Sequence, residues 1–366
     1  MGLLNKTSVI IVTYNHRDYM ELALKDEMRS IFSLKNLDII VVDNNSSDGT
    51  ADFIEEKFPG VKLIRNTDNI GFGSGINQGA QISEREYLVI MNPDTMVEKE
   101  SIEKMINPLL NENITVTIPK VLLYNSSKIN TCGNIEHFTG LSFTRGLGGS
   151  KDDCISSNFV NGLSGVCFAI RRVDFLKLGG FDQNFFLYME DVDLSWKIIS
   201  AGLKILYIPQ AVIYHDYVLE VPPEKIYHLE KGRYIILKKY FTWKEFIMFS
   251  PSLIVSEIFT WGYSILNGLS GIKFKLKGTR DGINADVIKV DCNRKELFRW
   301  LDFKTPSGQL SYIFLDKTIR RLGNLIYLIN YHLVLKLWDI YSHALTFNPL
   351  TRKDSDLVDK FENIEN

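Results

Sequence analysis

The first 120 residues alternate between short apolar runs and amphipathic stretches, and this alternation limits the fold more than any other feature of the chain. The runs "SVIIVTY", "LDIIVVD", "VKLIRN" and "EYLVIMN" are rich in β-branched residues and predict strands. Between them, residues 18–31, "SSDGTADFIEEKF" and "GFGSGINQGAQIS" predict helices. Strands that are apolar throughout and alternate with helices predict an α/β domain, with a mostly parallel sheet covered on both faces.

The pattern changes along the rest of the chain. Residues 121–160 are polar and glycine-rich with little periodicity, which predicts a long loop or small hairpins. The run "SGVCFAIRR" predicts another strand, "EDVDLSWKIISAG" a helix, and "LKILYI" and "AVIYHD" two further strands. Two prolines in "EVPPEK" mark a boundary, so we expect an α/β domain over 1–220, a mainly helical extension over 221–353 and an acidic flexible tail over 354–366.

Polar residues follow the predicted strands at the points where the strands end. Right-handed crossovers bring the carboxyl ends of parallel strands to one edge of the sheet, and open α/β sheets bind ligands there. The candidate ligand-binding residues at this edge are Thr13, Tyr14, Asn15, Asp43, Asn45, Asn69, Gly71 and Asn92. A carboxylate accepts hydrogen bonds from a base or a ribose, and a glycine-rich turn into a helix favours phosphate. Each segment alone is a weak signal, because an ordinary turn or helix cap has the same residues.

Asp94 follows the apolar run "YLVIM" directly after Asn92 and Pro93. On its own, Asn-Pro-Asp is typical of a turn. Beside a bound diphosphate, however, a hard cation such as Mg²⁺ or Mn²⁺ takes oxygen ligands from the phosphates and from one or two carboxylates. His215 ends the run "AVIYH", and its imidazole is a candidate ligand of the same ion, although a lone histidine is more often structural.

Three acidic residues, Glu190, Asp191 and Asp193, begin the predicted helix "EDVDLSWKIISAG". Acidic first turns are common because they complement the helix dipole, by about 0.3–1 kcal/mol each. Aromatic residues precede this cluster, however, and carboxylates that are partly buried beside one another have the raised pKa values suited to a general base. We therefore interpret Asp191, with Glu190 beside it, as candidate catalytic residues.

In this order, the segments resemble an inverting family 2 glycosyltransferase with the GT-A (Rossmann-like) fold, and in particular its rhamnosyltransferase-like branch. The resemblance spans about Ser8 to Asp216 and rests on "VIIVTYN", "IIVVDNNSSDGT", "NIGFGSGINQG", "YLVIMNPDT", "GGFDQNFFLYMEDVDLSWKIISAG" and "AVIYH". It implies transfer of a hexosyl or rhamnosyl unit from a nucleotide diphosphate-sugar, such as a UDP- or dTDP-sugar, to an acceptor hydroxyl. The implied acceptor is a glycan or a lipid-linked saccharide in the synthesis of a cell-surface polysaccharide or glycoconjugate.

The resemblance also implies roles for individual residues. The acidic motif after the fourth strand is usually Asp-x-Asp in this family; here Asn92 replaces the first carboxylate, while Asp94 keeps the metal-binding position. By the same match, Asp191 of the Glu-Asp pair is the implied catalytic base and His215 an implied ligand of a divalent metal. The ends of the first two strands are the implied nucleotide-binding positions.

Charge is distributed unevenly along the chain. Residues 1–220 carry 20 Lys and Arg against 28 Asp and Glu, whereas residues 221–353 carry 21 against 11. The basic part contains two long apolar stretches, 246–266 and 322–344, and the second has a helical face of Leu322, Leu325, Ile329, Leu333, Leu337, Ile340 and Ala344. The composition beside the first stretch is typical of a membrane–water boundary, with Lys238, Lys239, Phe241, Trp243 and Lys244.

We therefore expect the extension to bind an anionic membrane surface peripherally, with Glu257 on the wet face of an interfacial helix. The alternative, given equal weight, is that these helices pack on the α/β domain or form a homo-oligomer through residues 221–353. The start of the chain lacks a signal-peptide pattern and its four cysteines lack metal-type spacing. These features predict a cytoplasmic protein, peripheral to the membrane at its cytoplasmic face.

Other functions fit part of the pattern. A sugar nucleotidyltransferase needs a basic glycine-rich phosphate loop after the first strand, and "TYNHRDYM" contains no glycine. A non-catalytic sugar-nucleotide-binding protein has no need of both Asp94 and Asp191. Nucleic-acid binding is not expected, because the lysines of the basic part are interleaved with long apolar runs that suit a lipid interface better.

Overall fold

The computed structural model describes residues 2–26, 29–217, 222–307 and 313–343. The predicted alternation of strands and helices is present in its first part. The elements are β1 (Thr7–Thr13), α1 (Arg17–Lys25), β2 (Asp38–Asp43), α2 (Thr50–Lys57), β3 (Lys62–Arg65), α3 (Phe72–Ile82) and β4 (Tyr87–Met91). The first helix is shorter than the predicted 18–31, since α1 ends at Lys25 and a 3-10 helix follows at Ile31–Ser33.

The second part of the α/β domain adds shorter elements. They are β5 (Thr95–Val97), α4 (Ser101–Ile106), β6 (Val116–Leu123), β7 (Ile129–Thr131), β8 (Asn134–Glu136), β9 (Ser142–Thr144), β10 (Asn158–Val160), β11 (Cys167–Arg171), α5 (Arg172–Lys177), α6 (Glu190–Ser200) and β12 (Ile205–His215). Residues 121–160 thus contain small strands, in agreement with the hairpin alternative. The two strands predicted in "LKILYI" and "AVIYHD" are instead one strand, β12, whose pairing with β6 shifts register between Ile208 and Val212.

One sheet organises the domain. Its strand order is β10-β12-β6-β11-β4-β1-β2-β3, with β5 paired to β12 and β7 paired to β6. Strands β4, β1, β2 and β3 run parallel, and so do β6 and β12. Because β11 runs antiparallel to both β4 and β6, strands β6 and β12 point the same way as the first four. The mostly parallel sheet is therefore confirmed, and the carboxyl ends of β1, β2, β4 and β12 lie along one edge.

Alternate side chains of β1 pack in two hydrophobic layers, because successive residues of a strand face opposite sides of the sheet. Val9 and Ile11 pack with α1, α2 and α4, whereas Ile10 and Val12 pack with α3, α5 and α6. The helix α3 comes very close to β1, since a Cβ atom on Gly79 would lie only 2.5 Å from Cγ2 of Ile10. Glycines in this helix therefore serve the packing of the helix on the sheet.

Among the described residues, the extension consists of α7 (Pro223–Tyr240), α8 (Trp243–Met248), α9 (Ser250–Leu266), α10 (Gly268–Asn284), α11 (Arg294–Trp300) and α12 (Ile313–His343). A third hydrophobic core joins it to the α/β domain, where Trp196 of α6 packs with residues such as Tyr240 of α7 and Phe298 of α11. The helical extension is thus present. Its boundary at 220 stays a prediction, because residues 218–221 lie outside the described residues, as does the tail 354–366.

The apolar face of α12 lies on the surface of the extension. It is exposed from Leu322 to Ile340, whereas Tyr327 and Tyr331 on the other side of the helix are buried. Ala344, which was predicted on the same face, lies outside the described residues. Where the structure describes the chain, no helix combines the length and the apolar character needed to cross a bilayer.

Several residues expected at a membrane boundary have partners inside the protein instead. Phe241 is fully buried, and Nζ of Lys239 lies 2.6 Å from carboxylate oxygens of two aspartates in the α/β domain. The side chain of Glu257 is 32% exposed, and it forms ion pairs with basic side chains of α7 and α10. The ion pairs between helices compensate the charge of Glu257. Complete burial in the third core stabilises the ring of Phe241 more than a position at a membrane interface would.

Candidate active site

The carboxyl ends of β1 and β2 meet at Thr13 and Asp43, which pair in register. Both residues are buried, and Oγ1 of Thr13 donates a hydrogen bond of 3.0 Å to Oδ1 of Asp43. The backbone N–H of Ser46 donates to Oδ2 of Asp43 at 2.9 Å. These hydrogen bonds fix the carboxylate at the sheet edge and stabilise the turn after β2, while contact of Asp43 with a nucleotide stays a prediction.

Tyr14, Asn15 and Asn45 form the surface beside this pair. Tyr14 is 46% exposed, and Asn15 and Asn45 have left-handed φ values of 58° and 65°. Oδ1 of Asn15 accepts a hydrogen bond of 2.8 Å from the backbone N–H of Ser47. The turns after β1 and β2 are therefore tied to each other, and they leave an aromatic ring accessible on which a base could stack.

The loop before α3 is covered by the protein itself. Gly71 has a φ of 86°, and a Cβ atom there would lie 2.5 Å from the carbonyl oxygen of Phe186. The same oxygen accepts a hydrogen bond of 3.0 Å from the N–H of Phe72, and the N–H of Gly71 donates to Oδ1 of Asn69 at 3.0 Å. Gly71 is thus needed for a close backbone contact, and phosphate binding at Asn69 and Gly71 stays a prediction.

Asp94 and His215 come together where β4 leads into β5 and where β12 ends. Nε2 of His215 lies 3.1 Å from Oδ1 of Asp94. The pairing of β12 with β5, in which His215 is opposite Thr95, fixes this approach. On the other side of the ring, Nδ1 lies 3.0 Å from Oδ1 of Asn130. A hydrogen bond from Nδ1–H to this amide oxygen leaves the lone pair of Nε2 available on the side of Asp94.

This pair has the chemistry of a cation site. Oδ1 of Asp94 and Nε2 of His215 are both buried, and neither finds a hydrogen-bonding partner within the described ranges. One carboxylate oxygen and one imidazole nitrogen fit the protein part of a Mg²⁺ or Mn²⁺ site that substrate phosphates complete. In the part of the chain that the structure describes, no three His, Cys, Asp or Glu side chains group in a way that could hold a metal. An ion at this pair would therefore depend on ligands from the substrate.

An unusual backbone leads into α6. Tyr188 and Met189 have left-handed φ values of 64° and 70°, and they place Glu190 and Asp191 in the first turn of the helix. Side-chain-bearing residues persist in this conformation where the surrounding structure imposes it, which is frequent at functional sites. The third acid of the cluster, Asp193, is fully buried and ion-paired with lysines, so its role is structural.

The two carboxyl groups at the start of α6 differ in their hydrogen bonds. Oδ2 of Asp191 accepts from the N–H of Gly165 and from the side-chain amide of Asn134, each at 3.1 Å. Oδ1 of Asp191 accepts from the N–H of Val192 at 2.9 Å. By contrast, Oε2 of Glu190 is buried and has no hydrogen-bonding partner among the residues that the structure describes. The donors around Asp191 favour its charged form, and Glu190 has fewer of them.

The pKa values follow from these surroundings. Burial raises the pKa of Asp191, and its hydrogen bonds oppose that rise. Burial first, and then the charge of Asp191, raise the pKa of Glu190 to about 8. The three hydrogen bonds that Asp191 accepts favour its ionised form, so a proton shared by the two groups is more stable on Glu190 than on Asp191. A further carboxyl, Glu136 on β8, is completely buried, and burial followed by the charge of Asp191 raises its pKa well above the usual carboxyl range.

One cleft of about 520 Å³ connects the acid pair with the cation position. Its volume lies within the range of about 300–1,000 Å³ that is usual for small-molecule sites. Glu190, Asp191, His215 and Asn92 line it. The structure thus brings these predicted residues together, while the predicted nucleotide-binding residues of β1 and β2 lie further along the same sheet edge.

Several lining residues of this cleft were missed by sequence reasoning. Asn130 and Asn134 come from β7 and β8, within the segment described only as a loop or small hairpins, and its polar, aperiodic character was the only signal there. Lys225 and Tyr263 come from α7 and α9 of the extension. No sequence signal places them, because their position depends on how the extension packs on α6.

Several known proteins are similar to part of this chain. The family model described as "Glycosyl transferase family 2" matches residues 8–179. The N-acetylglucosaminyl-diphospho-decaprenol L-rhamnosyltransferase of Mycobacterium tuberculosis (strain CDC 1551 / Oshkosh) is 26% identical over 262 residues, covering 63% of this chain and 83% of its own. Rhamnosyltransferase WbbL of Escherichia coli (strain K12) is 24% identical over 216 residues, covering 55% and 80%.

A solved structure supports the fold. The crystal structure of GalNAc-T7 with UDP, GalNAc and Mn²⁺ superposes with a TM-score of 0.53 at 18% identity, over 77% of this chain and 55% of that chain. The superposition concerns the architecture alone, and it agrees with the GT-A fold expected from the sequence. Residues 8–179 therefore match the glycosyl transferase family 2 model, the architecture agrees with the GT-A fold, and the proteins similar to this chain include rhamnosyltransferases.

Proposed function

We propose that this glycosyltransferase moves a sugar from a nucleotide diphosphate-sugar to an acceptor hydroxyl in one step that inverts the anomeric carbon. The observation that carries the proposal is the cleft that holds Asp191 together with His215, which in turn contacts Asp94. A single displacement needs one base for the acceptor and one charge partner for the leaving diphosphate. One ionised carboxylate and one cation position meet that need.

Asp191 acts as the base in this scheme. One of its carboxylate oxygens takes the proton of the acceptor hydroxyl, and the hydroxyl oxygen forms a bond to the anomeric carbon. The bond between that carbon and the diphosphate oxygen breaks, and its electron pair leaves with the nucleoside diphosphate. Gly165 and Asn134 hold Asp191 in place through their hydrogen bonds. The neutral Glu190 adds no second negative charge beside it.

Asp94 and His215 are the residues that would hold a divalent ion, Mg²⁺ or Mn²⁺. When bound, such an ion offsets the negative charge that develops on the leaving diphosphate. The support for this assignment is the pair of buried atoms that lack hydrogen-bonding partners among the described residues. Asn130 orients the imidazole from its other nitrogen, as outer-shell partners of metal-binding histidines do.

The donor nucleotide would extend along the sheet edge from the cleft. We assign contacts with the base, the ribose and the diphosphate to Thr13, Tyr14, Asn15, Asp43, Asn45, Asn69, Gly71 and Asn92. The position of these residues at the ends of neighbouring strands supports the assignment. Asn92 replaces a carboxylate of the family motif, and its amide can both donate and accept hydrogen bonds there.

The named relatives support a finer substrate assignment. One is an L-rhamnosyltransferase of N-acetylglucosaminyl-diphospho-decaprenol, and another is also a rhamnosyltransferase. We therefore infer that this chain transfers a hexosyl or rhamnosyl unit from a UDP- or dTDP-sugar. The acceptor would be a lipid-linked saccharide or a glycan that is being built into a cell-surface polysaccharide or glycoconjugate.

The surface of α12 supports peripheral attachment to a membrane. Its exposed apolar face, which includes Leu325 and Ile329, is accompanied by the exposed basic residues Lys317, Arg321 and Lys336. An apolar face flanked by basic residues suits a helix that lies in the interface of an anionic bilayer. Each basic residue near such a surface contributes about 1 kcal/mol, an attraction that salt weakens. Self-association through the same face is the competing use of this surface.

A donor screen tests the proposed function. Binding and slow hydrolysis of UDP-, dTDP- and GDP-sugars are measured on the purified full chain, with and without Mn²⁺. We expect one nucleotide class to bind and to be hydrolysed or transferred. A chain that binds no nucleotide sugar would overturn the proposal. One that binds a nucleotide sugar but never turns it over, even with lipid-linked acceptors, would be a non-catalytic binding protein.

A further inference from the structure

A second cavity, here called the side cavity, lies between the α/β domain and the extension. Its volume is about 240 Å³. This is larger than the cavity of about 150 Å³ that takes a benzene molecule in an engineered protein core. Its walls come from the turn between β8 and β9, from β9, α7, α9 and α12 and from residues 305–306. The apolar lining residues include Leu141, Phe143, Ile226, Leu229 and Phe259.

The side cavity and the active-site cleft share a wall. Phe143, Met189, Leu229 and Tyr263 line both spaces. Met189 directly precedes Glu190, so the side cavity begins one residue away from the acid pair. A ligand that reaches Asp191 with one end is therefore close enough to place its next segment in the side cavity.

A cation lies where the two spaces meet. Lys225 lines the cleft, and it precedes Leu229 by one turn of α7, so both side chains are on the same face of this helix. Nζ of Lys225 is 4.6 Å from the centroid of the Tyr188 ring. Inside the side cavity, Arg233 is ion-paired with Glu230 at 2.9 Å, and Arg320 also contributes to the lining. The order along the path is a base, a cation and an apolar cavity.

We propose that the side cavity binds the first hydrocarbon segment of a phosphate-linked lipid acceptor, while Lys225 contacts the phosphate. This inference rests on the proposed function, in which Asp191 receives the saccharide end of the acceptor. A saccharide, a phosphate or diphosphate and a hydrocarbon chain, joined in this order, match the three environments in their order. An acceptor without a lipid would leave the apolar walls in contact with water, which is unfavourable.

Linear alkyl phosphates test the inference without knowledge of the saccharide. Titration calorimetry measures binding of inorganic, butyl, hexyl and octyl phosphate to the full chain, each below its micelle concentration. We expect one site per chain, with a dissociation constant that falls about four-fold for each added methylene until the cavity is full. Dissociation constants that do not depend on chain length would overturn the inference, and this series needs no variant.

Two matched substitutions locate the binding site. Leu141→Trp fills the side cavity without touching the cleft, and Leu276→Trp places the same ring on an exposed part of α10 that lines neither space. Leu141→Trp should raise the dissociation constant of octyl phosphate by about ten-fold or more, and Leu276→Trp should leave it unchanged. If octyl phosphate binds a folded Leu141→Trp variant as tightly as the unaltered chain, the side cavity is not the site.

Two controls separate the inference from its premise. UDP and dTDP binding is measured on the same samples. If the chain binds nucleotide but not octyl phosphate, the side-cavity inference is wrong and the proposed function is unaffected. If the chain binds no nucleotide, the proposed function is wrong, and so is the role of the side cavity in acceptor binding. Leu141→Trp should also float with anionic phosphatidylglycerol vesicles as the unaltered chain does. Loss of flotation would assign the side cavity to membrane lipid instead of the acceptor.

Discussion

Amide substitutions in the acid pair should separate the roles of its two members. Asp191→Asn keeps the shape of the side chain, and its remaining oxygen can still accept hydrogen bonds from Gly165 and Asn134. The NH₂ group of the asparagine would then face the N–H of Val192, so we expect a modest loss of stability. The amide cannot take up a proton from the acceptor. Loss of a general base lowers kcat by about 10²–10⁴, which corresponds to a barrier higher by about 2.7–5.4 kcal/mol at 1.36 kcal/mol per ten-fold.

Glu190→Gln should behave differently, although the two residues are adjacent. Because burial raises the pKa of Glu190 to about 8, its side chain is neutral at pH 7, and glutamine has nearly the shape and polarity of the protonated acid. We therefore expect kcat at pH 7 to stay close to that of the unaltered chain. As the pH rises through the pKa of Glu190, only the unaltered chain gains a second negative charge beside Asp191, so the rates of the two proteins should diverge above that pKa.

The assay is the initial rate of nucleoside diphosphate release at saturating donor, followed as a function of pH. Donor binding by calorimetry shows whether each variant still assembles the nucleotide site. An Asp191→Asn variant with unchanged kcat would refute the reasoning. So would a Glu190→Gln variant that binds donor but does not turn it over, because Glu190 would then be the base.

Three further predictions concern other parts of the molecule. Asp94→Ala should abolish transfer and weaken nucleotide binding while circular dichroism stays unchanged, and full activity in excess EDTA would contradict the assignment of a metal. Glu136→Gln should raise Tm, and calorimetry should show a larger rise near neutral pH than in mild acid. The pKa of Glu136 is higher in the folded chain than in the unfolded chain, so the stability of the unaltered protein falls as the pH rises from the unfolded pKa towards the folded pKa. Equal Tm shifts at both pH values would argue against this. Ile329→Glu should reduce flotation with anionic vesicles, whereas Ile288→Glu should not, because Ile288 is 88% exposed and lies outside α12. A discrete oligomer that stays at the bottom of the gradient at low salt would favour self-association.

The part of the site that the sequence could predict is the part that depends on strand direction alone. Asp94 and His215 are far apart in the chain, yet the sequence predicts that both lie at one edge of the sheet, because parallel strands end on the same side of a sheet. Asn130 could not be found in this way, since short strands with mixed polarity give no periodic signal. Its contact with the imidazole depends on the pairing of β7 with β6.

The wrong expectations have a common physical origin. Lys239 and Phe241 have the composition of a membrane boundary, but the same residue types also form a buried aromatic core with compensated charges. Composition does not distinguish the two cases, because the partners that neutralise Lys239 and Glu257 are distant in sequence. For α12, helical periodicity identified the apolar face correctly. The sequence does not show that this face points outwards, because that depends on the burial of the opposite side of the helix.

The third hydrophobic core limits how this chain can be recombined with others. The helix α6, which begins with Glu190 and Asp191, contributes Trp196, which is completely buried against residues of the extension. Gly232 of α7 contacts the segment before α6 so closely that a Cβ atom would lie 2.5 Å from Cβ of Met189. A chimera joined at residue 220 would therefore have to carry matching surfaces on both sides of the junction. The unit that can be exchanged between relatives is the extension together with the outer face of α6, and acceptor preference would be inherited with that unit.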